Sequence, residues 1–168
     1  MTTIASSDSV SSLPQLSVAL GEKLLAKRWR VATAESCTGG GVAAAITATA
    51  GSSDWFEYGI VSYANKAKQK LLQVNPKTLL QNGAVSEAVV QQMLAGILKL
   101  SGANLAIAVS GIAGPGGGNT DKPVGTVWFA WGLATGELKT QIFQFKGDRV
   151  AIQAQAVEQA LRGLLDIF

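Results

Sequence analysis

The sequence predicts a layered α/β domain whose sheet is mixed but mostly parallel. Three observations carry that expectation. Short apolar runs alternate with helical patterns along the first two-thirds of the chain, the order that builds strand–helix–strand units. Residues 105–109 read Leu-Ala-Ile-Ala-Val without a polar break, as in a strand covered on both faces. Two strand-like runs, 124–133 and 138–145, flank Thr135-Gly136 and so predict a hairpin that adds antiparallel strands.

The elements follow in order. Residues 1–11 are rich in serine and threonine, lack periodicity, and predict a disordered N-terminal tail. Residues 12–168 are expected to form a single domain. Ser12 is the expected N-cap of the first helix, with Pro14 in its first turn and Leu16, Leu20 and Leu24 repeating at i+4. A short buried strand is expected over 30–34, an alanine-rich helix over 42–50, and a second strand over 58–63. A helix over 65–73 should turn Leu71 and Leu72 inward, and 76–81 should make a short helical turn. Ser86 and Glu87 open the next helix, with Val89, Met93, Ile97 and Leu100 as its apolar stripe and Gly102 as its end. Residues 110–122 form a glycine-rich loop. The last helix starts near Asp148, with Ile152, Val157, Leu161 and Leu164 inward.

Composition narrows the function. The chain has 168 residues, enough for one domain that buries about two-thirds of its unfolded surface. Apolar residues make up 48% and charged residues 15%, below the roughly 25% charged of average domains. A low charged fraction of this kind suggests a homo-oligomer. The net charge of +3 is small and scattered, so nucleic acid is not an expected partner. Cys37 is the single cysteine and histidine is absent, so neither a disulfide nor a cysteine- or histidine-based metal site is expected. The N-terminal residues lack the pattern of a signal peptide, and no run approaches about 18 apolar residues. No membrane partner follows, and a cytoplasmic protein is expected.

Four clusters carry possible chemistry. Glu35-Ser36-Cys37-Thr38-Gly39-Gly40-Gly41 follows one strand and precedes a helix. Ser36 therefore belongs at the carboxyl edge of the sheet, where ligands of α/β folds gather. Glycines there leave amides unshielded, suited to an oxyanion or an anionic group, although capping and turning a chain would also explain them. Without histidine, a serine nucleophile needs another base, and a buried lysine can be that base. Tyr63-Ala64-Asn65-Lys66-Ala67-Lys68 enters a helix at what should be the same edge. Periodicity does not choose between Lys66 and Lys68. Ser110 through Gly118 forms a glycine-rich run that would allow a ligand close to the backbone. In Gly147-Asp148-Arg149 the arginine suits a phosphate or carboxylate. A Rossmann reading of Gly39, Gly41 and Ala44 fails, because the following strand ends in Tyr63-Ala64-Asn65 rather than an acidic residue.

Together these clusters resemble one family. Ala34 through Gly40, Gly51-Ser52-Ser53, Tyr63-Ala64-Asn65 with Lys68, Gly83 through Glu87, Ser110 through Gly118, Lys122 through Val127 and Gly147-Asp148-Arg149 are similar to the C-terminal domain of the competence/damage-inducible protein CinA. The resemblance spans about residues 12–165. It implies a three-layer α/β/α sandwich and, for free-standing chains of this length, hydrolysis of the carboxamide of nicotinamide mononucleotide. It implies a serine–lysine mechanism with no metal or cofactor and a small-molecule nucleotide as partner. Ser36 matches the family's nucleophile, Lys68 its lysine and Tyr63 a tyrosine at the edge of the site, and either the lysine ammonium or Tyr63 is expected to help ammonia leave. Ser110, Gly111 and the glycines after them match a ligand loop, and Arg149 matches an arginine of the substrate pocket. Amides around Thr38, Gly39 and Gly40 are then the expected oxyanion donors. Glu35 is expected to orient a neighbour or bind ribose. Cys37 is the rival nucleophile. Two alternatives accompany this reading: a non-catalytic nucleotide-binding or regulatory module tied to competence or DNA damage, and an amidase for another pyridine carboxamide.

Overall fold

The computed structural model describes residues 12–168; the expected tail over residues 1–11 lies outside them. Five strands form one sheet in the order β2-β1-β3-β4-β5. They are β1 (Val31–Glu35), β2 (Phe56–Val61), β3 (Leu105–Gly111), β4 (Thr126–Leu133) and β5 (Leu138–Gln144). The strand β1 runs parallel to β2 and β3, whereas β4 and β5 are antiparallel additions. Helices α1 (Leu13–Lys27), α2 (Gly41–Thr47) and α6 (Arg149–Leu165) cover one face, and α3 (Asn65–Leu72), α4 (Pro76–Asn82) and α5 (Glu87–Ser101) cover the other. The result is the expected three-layer α/β/α sandwich.

The two faces of the sheet are built from different side chains. Toward α1 and α6 point Val31, Leu105, Ile107, Val109, Val127, Phe129 and Trp131. Toward α5 points a row of small residues, Ala32, Ala34, Ala106, Ala108 and Ala130. Strand alternation puts each set on its own face, and the register lines up Ala32 with Ala106, Ala34 with Ala108 and Ala108 with Ala130. Small side chains let α5 lie close, so Val89, Val90, Met93, Leu94 and Ile97 supply most of the volume on that side. Opposite, Trp131 fills the space over α6 and its indole N–H donates to the Ala160 carbonyl at 2.9 Å.

Local signals set most helix ends. Asp148 Oδ1 accepts from the Ala151 amide at 2.9 Å, and Asn75 Oδ1 accepts from Lys77 at 2.8 Å. Gly102 ends α5 at φ +68°. Several expectations shift. Residues 76–82 form a true helix rather than a turn, because Asn75 caps it and Pro76 starts it. The alanine-rich helix ends at Thr47, before a 3₁₀ turn at Ser52–Asp54. Leu71 is 43% exposed, since the inward stripe of α3 runs through Lys68 and Leu72 instead. Leu100 is likewise half-exposed, because the buried stripe of α5 ends at Ile97. Ser110 and Gly111, expected in a loop, are the last residues of β3 and pair with Trp128 and Val127.

The three parallel strands end level. Glu35 is in register with Val61 on one side and Val109 on the other. Ser36, Ser62 and Ser110 therefore come next to one another at the same sheet edge, and the helix after β2 brings Lys68 back over them.

Candidate active site

The turn from β1 into α2 is organised by a buried carboxylate. Glu35 is buried; its Oε2 accepts from Thr38 Oγ1 at 2.6 Å, from the Gly40 amide at 3.1 Å and from the Val42 amide at 3.0 Å. Its Oε1 accepts from the Ala43 amide at 2.8 Å. Glu35 thus caps α2 from inside the protein and, being buried, orients its neighbours in the turn. Other amides of the turn are also committed: Ser36 donates to the Val109 carbonyl, Gly39 to Ser36 and Gly41 to Thr38, each at 3.0 Å. Gly39 and Gly40 adopt φ +60° and +98°, which a side chain disfavours. These two glycines shape the turn, and their amides are not the free donors expected from the sequence. The amides of Cys37 and Thr38 alone in this turn donate to no other described residue.

Lys68 lies on the inward face of α3 and is 1% exposed. Its Nζ is 2.9 Å from Ser36 Oγ, 2.8 Å from the Ser62 carbonyl oxygen and 3.0 Å from the Tyr63 carbonyl oxygen. Burial pulls its pKa down from 10.5 to about 8. A neutral amine has two N–H donors and one lone pair. Two carbonyls accept the donors, which leaves the lone pair for the Ser36 hydroxyl. Lys66, two residues earlier, is exposed. Cys37 is buried beside Ser36, and burial, reinforced by the Glu35 charge, pushes its thiol up to about 12. It is therefore protonated and a poor nucleophile near neutral pH.

These groups line a cavity of about 200 Å³. Ser36, Cys37 and Lys68 are buried members of its lining, and Ala84, Val85, Ser110, Gly111 and Ala113 help to wall it. Tyr63, Asn65 and Arg149 complete the lining. Ser110 Oγ donates to the Ala84 carbonyl at 2.9 Å and so holds that wall. Gly111 leaves room for Val127 and the Thr126 carbonyl. Arg149, the first residue of α6, donates to the Gly114 carbonyl at 2.7 Å and to the Tyr63 hydroxyl at 2.8 Å. Of the site residues expected from the sequence, Ser36, Lys68, Tyr63, Ser110, Gly111 and Arg149 line this one cavity, whereas Glu35, Thr38, Gly39 and Gly40 belong to the adjoining turn and do not line it. A larger groove of about 380 Å³ between α5 and the β4–β5 hairpin contains no serine, cysteine or tyrosine. Among the described residues no three His, Cys, Asp or Glu side chains gather to hold a metal ion, and no helix is long and apolar enough to cross a membrane.

Sequence reasoning missed two groups. Gln153 donates from Nε2 to the Cys37 carbonyl at 2.9 Å. It sits one turn after Arg149 on the same face of α6, and that i+4 spacing was the available signal. Lys122 donates from Nζ to the Asn82 carbonyl at 2.7 Å and ties the glycine-rich loop to the end of α4. Nothing local in the sequence connects residues 40 positions apart.

Comparison with known proteins follows the same lines. A nicotinamide-nucleotide amidohydrolase PncC from Enterobacter agglomerans is 53% identical over 156 residues, covering 93% of this chain and 95% of that protein. The protein of the same name from Escherichia coli K12 is 52% identical over 158 residues, covering 94% and 96%. The crystal structure of the competence/damage inducible protein CihA from Agrobacterium tumefaciens superposes with a TM-score of 0.92 at 38% identity, covering 99% of each chain. The family model described as the CinA C-terminal domain matches residues 14–168. The chain belongs to the CinA C-terminal domain family.

Proposed function

We propose that this protein hydrolyses the carboxamide of nicotinamide mononucleotide, giving nicotinate mononucleotide and ammonia, with Ser36 as nucleophile and Lys68 as its base. The observation that carries this reading is the buried Lys68 amine 2.9 Å from Ser36 Oγ, with two carbonyls holding its other hydrogens. The names and high identity of the PncC relatives support the substrate.

Lys68 takes the proton as Ser36 Oγ bonds to the carboxamide carbon. The carbonyl π electrons move onto oxygen, and the amides of Cys37 and Thr38 receive that oxyanion. Removing one such donor typically costs about 10²–10³ in rate. The C–N bond then breaks, and the Lys68 ammonium protonates the leaving amine. Water, deprotonated by Lys68, attacks the acyl carbon and Ser36 leaves with a proton. Ligand clefts usually run to about 300 Å³ or more. The cavity of about 200 Å³ suits the pyridine carboxamide, with ribose and phosphate at the mouth. Tyr63 and Arg149 stand there, and Arg149 is the phosphate partner in this reading. The same reading takes the protein as cytoplasmic and homo-oligomeric; a monomeric mass in solution overturns the latter.

The test measures ammonia release from nicotinamide, its riboside and its mononucleotide for wild type, Ser36→Ala, Cys37→Ala and Lys68→Ala. The expected result is turnover of the mononucleotide, near-wild-type rates in Cys37→Ala, and losses of at least about 10³-fold in the other two. Activity that survives in Ser36→Ala and disappears in Cys37→Ala reverses the assignment. Nucleotide binding with no ammonia from wild type would leave a non-catalytic module.

A further inference from the structure

The peptide between Cys37 and Thr38 has a partner on only one side. Its carbonyl accepts from Gln153 Nε2 at 2.9 Å, and its N–H, that of Thr38, donates to no other described residue. A trans peptide is planar, with C=O and N–H pointing in opposite directions. Whatever fixes the carbonyl therefore aims the amide. Neighbouring peptides are fixed by the turn itself, through Glu35, Ser36 and Thr38 as acceptors, and by the Val109 carbonyl of β3. Only this peptide depends on a side chain from α6, 116 positions away in sequence. Gln153 is itself held in place, because Arg149 one turn before it is anchored to Gly114, and Val157 one turn after packs against Gly41.

We propose that Gln153 is a positioning residue: by holding the Cys37 carbonyl toward α6, it aims the Thr38 amide at the oxyanion formed when Ser36 attacks the carboxamide. This rests on the Ser36 acyl-transfer reading above. Thr38 then supplies one of the two oxyanion donors, beside the Cys37 amide, since the other amides of the turn are committed. The donor matters only when charge develops on the substrate oxygen, so Gln153 acts on the transition state more than on substrate binding.

The test uses Gln153→Met, which keeps the side-chain length and removes both N–H donors. Gln153→Glu, of the same size and an acceptor near neutral pH, serves as a second variant if the first folds poorly. Ammonia release from nicotinamide mononucleotide should fall about 10- to 100-fold in kcat, with KM within about twofold. A second probe is the mononucleotide carrying 3-formylpyridine in place of nicotinamide. Ser36 Oγ adds to its formyl carbon, the hydroxyl proton passes to Lys68, and the formyl oxygen becomes the oxyanion. Affinity for this aldehyde should fall by the same factor as kcat. Unchanged kcat in a folded Gln153→Met, or reduced kcat with full aldehyde affinity, overturns the proposal. If wild type turns over and Ser36→Ala does not, that failure is confined to Gln153. If wild type releases no ammonia, both readings fall.

Discussion

Two glycine-rich segments meet at this cavity, and glycine serves them differently. In the turn after β1, Gly39 and Gly40 take positive φ so that the chain can fold its own amides around Glu35. In the segment after β3, Gly114, Gly117 and Gly125 also take positive φ, but Gly114, Gly118 and Gly125 make room for protein as well. A Cβ on Gly114 or Gly118 would press on Val124, and one on Gly125 would overlap the Phe145 carbonyl. That second segment is laced to itself, with Gly125 donating to Ile112 and Asn119 to Lys122. The first segment leaves the Cys37 and Thr38 amides, next to Ser36, without another residue as acceptor; the second, whose Ala113, Gly114, Gly116, Gly117 and Gly118 amides also donate to no described residue, walls the cavity and anchors Arg149. Position beside Ser36, rather than the number of free N–H groups or of glycines, separates the two.

The largest effect that tests this contrast is expected from Glu35→Ala. It orphans the Thr38 hydroxyl and the amides of Gly40, Val42 and Ala43 together. Stability should drop by about 3–5 kcal/mol, and ammonia release should be lost with it. Denaturant midpoints and turnover check both. A midpoint close to wild type would mean that the turn holds its shape without the carboxylate.

Gly125→Ala breaks the second segment instead. The substitution forces a side chain at φ +93° against the Phe145 carbonyl, at a cost of about 2 kcal/mol or more. KM and kcat measured well below the midpoint should stay near wild type. Gly116→Ala, where a Cβ meets nothing within 4 Å, is the control and should be neutral within about 0.5 kcal/mol. A large KM change in Gly116→Ala would return this segment to the role of a ligand cradle.

A smaller effect comes with pH. Lys68 serves as base only when neutral, and its pKa in the folded chain is about 8. kcat/KM should rise about tenfold per unit below pH 8 and level off above it. Stability carries a companion signal of the same sign. The unfolded lysine titrates near 10.5, so between about 8 and 10.5 the unfolded chain holds more protons than the folded one. Stability contributed by this group therefore rises with pH across that window. Lys68→Met should flatten the rise, seen as denaturant midpoints compared at pH 7.5 and about 10. Rates flat from pH 6 to 9 would argue against a lysine base.

Much of the fold was legible because its signals are local. The unbroken apolar run at Leu105–Val109, the caps at Ser86 and Asp148 and the glycine after α5 each act within a few residues. The absence of histidine together with a serine at a strand end already pointed to lysine as base. Periodicity left Lys66 and Lys68 open, since both lie on one short helix and only the resemblance to the family favoured Lys68. The misplacement of Leu71 and Leu100 has the same origin: an apolar residue one step off a stripe looks alike in sequence whether it faces a sheet or solvent.

By itself, then, the amino-acid order determined the alternation of strands and helices, the turn chemistry, and the residue types able to support acyl transfer without imidazole. Tertiary structure decided which of those residues meet. Parallel pairing of β2 with β1 brings Lys68 to Ser36, and packing of α6 on α2 brings Gln153 to Cys37. The charge state of Lys68 belongs to the same level, because desolvation arises only once several separate segments close over the amine.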